Sequence, residues 1–565
     1  MWQMKNYIFT SIFIFVLIIF LPHIIFASPN NKVGISLLQP TDEDIKMASE
    51  LVNSSGGDYG YATLVIQEND RSVSKWQDVF EKLREAHLIP IVRLATQPEG
   101  ENWRRPTLND APSWAEFLNV LNWVTEKRYI VLFNEPNHGS EWGGEVDAKN
   151  YREVAVAFAQ KLKEKNKDFF IMSAGLDGAA PNALPLYEDE EAFLAELFQK
   201  NDTPLENVID GWASHSYPNP GFSASPWDAG KKSIRGYDWE LQTIQSLGVS
   251  KNFPVFITET GWVSDRLTRA TVAAYYKQAF ENVWGPDPRV MAVTPFVFNY
   301  QSDPFLGFSW KKQGEESYYA QYYSVWEIPK VLGTPGIRES GTIQQELPAE
   351  FVADSSYRFS LRLRNTGQAI WDTEGSYSLG FSSTAPFEYI FSDIKNLRPY
   401  QDTQITLFVK TKKSSSGDHV TTIQLKKSGS LIAQTDPWHF TILPLPSLKI
   451  SSSLFPKLIS NSKSAEVQIY DEKEWLAYKK AGLSMNKGQI TLGEVQNIIL
   501  GKKYRVVLLV PGYLPRQNFT VLRRGENKTS LRALLPFDFN SNGALGWDDL
   551  GALLQAPSKL KMLLP

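Results

Sequence analysis

Glu135 and Glu259 stand at the same kind of place in the chain. The run Tyr129-Ile130-Val131-Leu132-Phe133 stops on Asn134-Glu135-Pro136-Asn137, and Pro254-Val255-Phe256-Ile257-Thr258 stops on Glu259-Thr260-Gly261-Trp262. Continuous apolar runs rich in β-branched and aromatic residues read as strands covered on both faces, as in parallel sheets flanked by helices. A carboxylate at the mouth of such a strand contributes little to packing, but two that meet in space can do chemistry. They suit glycosidic cleavage, in which one protonates the leaving oxygen while the other attacks, or activates water at, the anomeric carbon. A gap of about 5–5.5 Å between them means retention through a covalent intermediate, and about 6.5–9.5 Å means inversion. Either glutamate alone reads as a solvated loop residue or an ion-pair partner; the pair at two strand ends points to catalysis.

The elements that must position this pair repeat along the chain. Apolar runs at 33–38, 61–66, 88–95, 129–133, 169–174, 208–214, 254–258 and 290–298 alternate with helical patterns, among them 76–86, 114–127, 151–166, 190–199, 237–247 and 271–284. Thr41 with Asp44 three residues on opens the first helix as a cap. Eight strand–helix units predict an α/β domain with a parallel sheet, whose natural closure is the (β/α)8 TIM barrel. An open doubly wound sheet is the alternative; it calls for a Gly-rich phosphate turn after an early strand, where Gln39-Pro40-Thr41 stands. Barrel active sites gather at the C-terminal strand ends. That rule selects Arg93, Asn134 and Glu135, His215 and Tyr217, Glu259, and Phe298 with Asn299. Trp142 and Trp262, in the loops after strands four and seven, either stack on sugars or pack the rim.

Asn134-Glu135-Pro136 after the fourth strand, with Glu259 after the seventh, resembles clan A of the glycoside hydrolases, the retaining (β/α)8 barrels. The Thr258-to-Trp262 ending and His215-Ser216-Tyr217 look like the same clan, similar to families 5, 39 and 17. The resemblance covers roughly residues 32 to 330. It implies Glu135 as acid/base, Glu259 as nucleophile, Asn134 as donor to the sugar 2-hydroxyl, Tyr217 as donor to the nucleophile and His215 as a cleft wall. The clan often sets an arginine beside the nucleophile, for which Arg93 is the counterpart, and many members carry a Trp at the end of strand eight, where this chain has Phe296-Val297-Phe298-Asn299-Tyr300. The implied activity is hydrolysis of a β-linked poly- or oligosaccharide with no cofactor for catalysis. The rival is a non-catalytic glycan-binding or adhesive surface protein on the same scaffold, since a fold alone confers no activity.

Composition narrows the setting. A formal charge of −4 over 565 residues gives no broad basic field for nucleic acid. There is no cysteine, so disulfides, thiolate metal sites and thiol nucleophiles are excluded. Residues 1–28 carry a long apolar run behind Lys5, which reads as a signal peptide or a retained membrane anchor and places the rest in a secreted or cell-envelope, bacterial-type setting. The barrel domain is predicted over 32–335. From 337 to 445 helical periodicity gives way to short alternating runs, a β-sandwich resembling an immunoglobulin-like domain at Asn365-Thr366-Gly367 and Trp371, either a spacer or a carbohydrate- or wall-binding module. A smaller β-rich module is predicted over 447–535. In the tail, 536–565, Asp538, Asn540, Asn542, Gly543, Ala544 and Asp549 match positions 1, 3, 5, 6, 7 and 12 of a calcium loop. This resembles one dockerin repeat. A dockerin carries two, which argues against a cohesin-type partner, and the reading is a structural Ca2+ unit, with a plain Asp/Asn turn as the alternative.

Overall fold

The structure is a computed structural model and describes residues 30–200, 204–372, 375–455 and 463–563. The chain divides into two compact units, Met1–Gly336 and Ile337–Pro565. The segment 1–28, read as signal or anchor, lies outside the described residues; among these, no helix is long and apolar enough to cross a membrane.

In the first unit β1 (Gly34–Leu37), β2 (Gly60–Gln67), β3 (Leu88–Ala95), β4 (Arg128–Val131) and β5 (Phe169–Met172) form a five-stranded sheet in that order. All its pairings are parallel. Strands β6 (Trp212–His215), β7 (Val255–Glu259) and β8 (Val290–Val293) form a second parallel sheet. Single parallel bridges lie at both seams, Met172 with Gly211 and Val33 with Val293. One buried cluster, including Tyr61, Ile91, Tyr129, Met172, Ala213, Phe256 and Ala292, draws on both sheets. A larger cluster joins the opposite strand faces to the helices. This two-sided burial is why the strands read as unbroken apolar runs instead of alternating ones.

Helices α1 (Asp42–Val52), α2 (Val73–Glu85), α3 (Ala111–Val120), α4 (Ala148–Lys165), α5 (Glu190–Leu197), α6 (Gly236–Ser246) and α7 (Arg269–Ala279) separate the strands, and α8 (Ala320–Trp326) follows β8. Thr41 caps α1 by accepting the Asp44 N–H at 3.1 Å. Two strands end earlier than their apolar runs. Strand β4 stops at Val131 because the chain turns sharply over its end, with Phe133 at φ 74° and Glu135 at φ 32°. Strand β8 stops at Val293, two residues before Pro295, which has no N–H for a ladder. Beyond it the Ser36 N–H donates to the Pro295 carbonyl and the Phe298 N–H to the Ser36 carbonyl, so residues 295–298 run on beside β1. The Phe296–Val297 peptide is cis.

The second unit is all-β up to its last helix. Strands β9 (Gly341–Gln345), β10 (Ser356–Asn365), β11 (Phe387–Phe391) and β12 (Asp402–Thr411) form an antiparallel sheet ordered β9-β10-β12-β11. Smaller sheets lie within 350–443 and a five-stranded sheet within 463–538. One hydrophobic cluster runs from Ile343 to Leu563. The predicted sandwich and the smaller module therefore share a core, with Tyr357 Oη donating to the Ile498 carbonyl at 2.9 Å. Trp371 is fully buried, so its side chain belongs to that core. The helix α9 (Trp547–Gln555) and a 3-10 segment, Pro557–Met562, follow the last strand.

Candidate active site

Each member of the candidate pair is placed by its strand end. Past β4 the Glu135 N–H donates to the Gly175 carbonyl at 3.1 Å and the His138 N–H to the Glu135 carbonyl at 2.8 Å, closing a tight turn around the carboxylate. Glu259 is the last residue of β7, and Thr260 beyond it donates its hydroxyl to the Ser216 carbonyl at 2.6 Å. The reactive atoms of Glu135, His215 and Glu259 all lie within 4.8 Å of one another. The two carboxylates so far apart in sequence thus face each other at close range.

Their surroundings differ. His215, whose side chain is fully buried, places Nδ1 2.7 Å from Glu135 Oε1, so one proton lies between the two groups. Burial opposes charging of His215, but Glu259 and the Glu135 hydrogen bond outweigh it and hold its pKa above the ordinary value. Glu259 accepts from Tyr217 Oη at 3.0 Å and lies 3.8 Å from the Arg93 guanidinium. The Tyr217 pKa is pushed well up by burial and by both carboxylates, which keeps its hydroxyl a donor. Asn134 Oδ1 is buried and has no hydrogen-bond partner among the described residues. Behind β6, Glu240 accepts from Trp212 Nε1 at 2.6 Å and from Ser214 Oγ at 2.9 Å, which ties the strand bearing His215 to α6.

Arg93, Asn134, Glu135, His215, Tyr217 and Glu259, selected only as strand ends, are thus brought together. Trp262 is not part of the group. It is 1% exposed, packs edge-on against Tyr276 and donates Nε1 to the Ala224 carbonyl at 2.8 Å, because the turn at Gly261 carries it back onto α7. The expectation that Trp262 contacts a sugar is therefore corrected, and Trp142, likewise fully buried, packs against Phe133 and Tyr151. Phe298 is a core residue, and Asn299 donates to the Asp44 carboxylate at 3.1 Å.

Sequence reasoning missed three groups. His138 has Nδ1 3.9 Å from Glu135 Oε2 and Nε2 2.9 Å from Asp177. Burial opposes its protonation, yet Asp177 and Glu135 raise its pKa. Glu141 borders, with Arg93, Asn134 and Trp103, a cavity of 70 Å³ beside the pair. Its carboxyl is pushed up to about 7, first by burial and then, against the pull of Arg93, by Glu135. The signal for His138 and Glu141 was their closeness to Glu135 in sequence; nothing local pointed to Asp177.

No protein-family model and no curated protein matches the chain. Among solved structures, a family 39 glycoside hydrolase from the gut symbiont Bacteroides cellulosilyticus WH2 is similar over 68% of this chain and 81% of its own, at 14% identity and a TM-score of 0.37. The endo-beta-1,4-glucanase Xac0029 from Xanthomonas axonopodis pv. citri is 10% identical over 52% of this chain and 97% of its own, with a TM-score of 0.37. AbfB, a family 51 alpha-L-arabinofuranosidase from Bifidobacterium longum, is 12% identical over 60% and 77%, with a TM-score of 0.33. Likeness this remote carries no argument about chemistry, which rests on the site.

Two groups of residues could hold a cation. Glu135, His215 and Glu259 converge as three ligands would, but the Arg93 guanidinium 3.8 Å from Glu259 already supplies a positive charge there. In the C-terminal loop Asp538 is 3% exposed and its Oδ1 has no hydrogen-bond partner among the described residues, while Oδ2 accepts the Gly543 N–H at 3.2 Å. Asp549 accepts the N–H groups of Asn540 and Gly546, and Asp548, which the loop pattern did not single out, accepts from Asn542 Nδ2 at 2.6 Å. An orphaned buried carboxylate oxygen within an all-oxygen donor set fits a hard cation such as Ca2+.

Proposed function

We propose that the first unit is a retaining glycoside hydrolase acting on a β-linked poly- or oligosaccharide, with its eight parallel strands closed as one (β/α)8 barrel. The observation that carries the reading is the approach of one oxygen of Glu135 and one of Glu259 to within 4.8 Å across two strand ends, which is in keeping with the close carboxyl pair, about 5–5.5 Å apart, of covalent double displacement. Barrel closure is supported by the bridges at both seams and by the interior cluster drawn from both sheets.

The chemistry follows from the two environments. Glu259, with Arg93 and Tyr217 on its oxygens, attacks the anomeric carbon, and these donors keep it oriented toward the sugar. Glu135 in its acid form protonates the departing oxygen, then takes a proton from water to release the sugar. The proton taken from water restores the acid form of Glu135, and His215, hydrogen-bonded to Glu135, with the His138–Asp177 pair beyond it, holds that carboxyl in place through both half-reactions. Asn134, with an unmet Oδ1, is positioned to bind a sugar hydroxyl. The chain is read as exported, secreted or held at the cell envelope. The tail is read as a Ca2+-binding unit in which Asp538, Asn540, Asn542, the Ala544 carbonyl and Asp549 hold the ion, whose charge would compensate the buried Asp538.

The test is Glu259→Ala. It should abolish turnover of aryl β-glycosides while leaving the fold intact, and proton NMR of early wild-type product should show the substrate's anomeric configuration. Initial release of the opposite anomer, or wild-type turnover by the variant, overturns the assignment.

A further inference from the structure

We propose that the outward face of the β9-β10-β12-β11 sheet in the second unit binds a carboxylated polysaccharide, gripped by Arg358 and by the rings of Phe408 and Trp475. Strand β10 alternates cleanly: Tyr357, Leu361 and Leu363 are buried, while Arg358, Ser360, Arg362 and Arg364 face out. Strand β12 buries Ile405, Leu407 and Val409 and exposes Phe408 and Lys410. Directly opposed residues of antiparallel strands share a face. The register sets Arg358 against Phe408, Phe408 against Ile390, Arg362 against Gln404, and Ser356 against Lys410.

This face has two properties that the unit's own stability does not require. Large apolar groups lie in solvent: Phe408 is 46% exposed, Ile390 69% and Trp475 61%. The Arg358 guanidinium carbon sits 5.7 Å from the centroid of one ring and 5.8 Å from the other, so Phe408 and Trp475 bracket it. Such contacts hold a flexible side chain ready before any ligand arrives. The face is also cationic. Arg362 pairs with Asp402 at 2.7 Å, Arg364 lies opposite the same Asp402 and Lys410 opposite Glu388, so the cations of this face outnumber its carboxylates, and Arg358 makes no ion pair among the described residues. This positive patch stands out on a chain whose net charge is −4.

A carboxylated glycan meets both properties at once. The C–H faces of its pyranose rings lie flat on exposed aromatics, and a guanidinium fork engages a carboxylate through two parallel hydrogen bonds. Nucleic acid is disfavoured because the acidic chain gives no broad attractive field.

The experiment is affinity electrophoresis of the full chain carrying Glu259→Ala, in gels containing polygalacturonate or a neutral galactan. Polygalacturonate should retard the protein and the neutral polymer should not. Adding Arg358→Gln, Phe408→Ala and Trp475→Ala should weaken retention at least tenfold, and in the wild-type background the same changes should leave aryl glycoside hydrolysis unaltered. If the triple change lowers the melting temperature, the exposed single change Arg358→Gln is read instead, with at least threefold weakening expected. Unchanged retention in these variants, equal retention by the neutral polymer, no retention by polygalacturonate, or stronger retention by DNA or anionic vesicles overturns the proposal. Binding is read without turnover and hydrolysis without polymer, so failure here and failure of the proposed hydrolase activity are told apart.

Discussion

Replacing Glu135 by Gln and by Ala separates its chemical role from its structural one. His215 is buried and its Nε2 has no partner among the described residues, so the 2.7 Å contact from Nδ1 to Glu135 is the hydrogen bond it has at this site. Glu135→Ala removes that acceptor, and an orphaned buried donor costs about 1–3 kcal/mol. At about 2–4 °C per kcal/mol for a domain of this order of size, the melting temperature should fall by roughly 2–12 °C. Glu135→Gln keeps a carbonyl oxygen for His215 and should melt within a degree or two of wild type. Both variants lose the transferable proton, and general acid–base catalysis contributes about 10²–10⁴-fold, or roughly 3–5.5 kcal/mol at 1.36 kcal/mol per decade. The assay is kcat/KM across aryl glycosides of graded leaving-group pKa, with melting by differential scanning calorimetry. A dinitrophenyl leaving group needs no proton, so its kcat/KM should drop far less than that of a phenyl or alkyl glycoside, and azide should restore its turnover by intercepting the intermediate. An equal loss across the whole leaving-group series would refute the acid role, and an unaltered rate would remove Glu135 from the reaction.

Glu141, pushed up to about 7, is neutral below that pH; its ionisation adds negative charge beside Glu135 and Glu259, so kcat/KM should fall above pH 7 and Glu141→Gln should move that limb upward. Because the folded state keeps a proton that the unfolded chain loses near 4.5, stability should also decline from about pH 4.5 to 7, by at most about 3 kcal/mol before solvent screening, and calorimetry of Glu141→Gln should show a flatter profile. In Gly175→Ala the new Cβ would lie 2.2 Å from His215 Cδ2, forcing the ring off Glu135; kcat/KM should fall at least tenfold, with about 1–3 kcal/mol of overpacking seen in melting. Adding Ca2+ at about 100 times its dissociation constant should stabilise the second unit by about 2.7 kcal/mol, roughly 5–10 °C, with a change in Trp547 fluorescence; Asp538→Ala should abolish both, and a wild-type response from that variant would exclude the loop as the site.

The alternation of apolar runs with helical patterns determined the number and parallel direction of the strands, because burial on two faces leaves a strand no polar side to show. The same runs located Arg93, Glu135, His215 and Glu259 at strand mouths, since a run that ends on a charged or polar group marks where the chain leaves the sheet. Distance was decided only by the tertiary structure. The approach of Glu135 to Glu259 depends on β4 and β7, in two different sheets, and on the left-handed turn that tips Glu135 over the end of β4. Trp262 shows the converse: its place in sequence, three residues after Glu259, suited a sugar contact, yet the chain path through Gly261 buries it against α7. Asp177 reaches the site from beyond β5, through His138 and a backbone bridge to His215, and the shared core of the second unit forms between strands distant in sequence. Local pattern records which residues a strand must hide or present; which of those presented meet is set by packing between elements far apart in the chain.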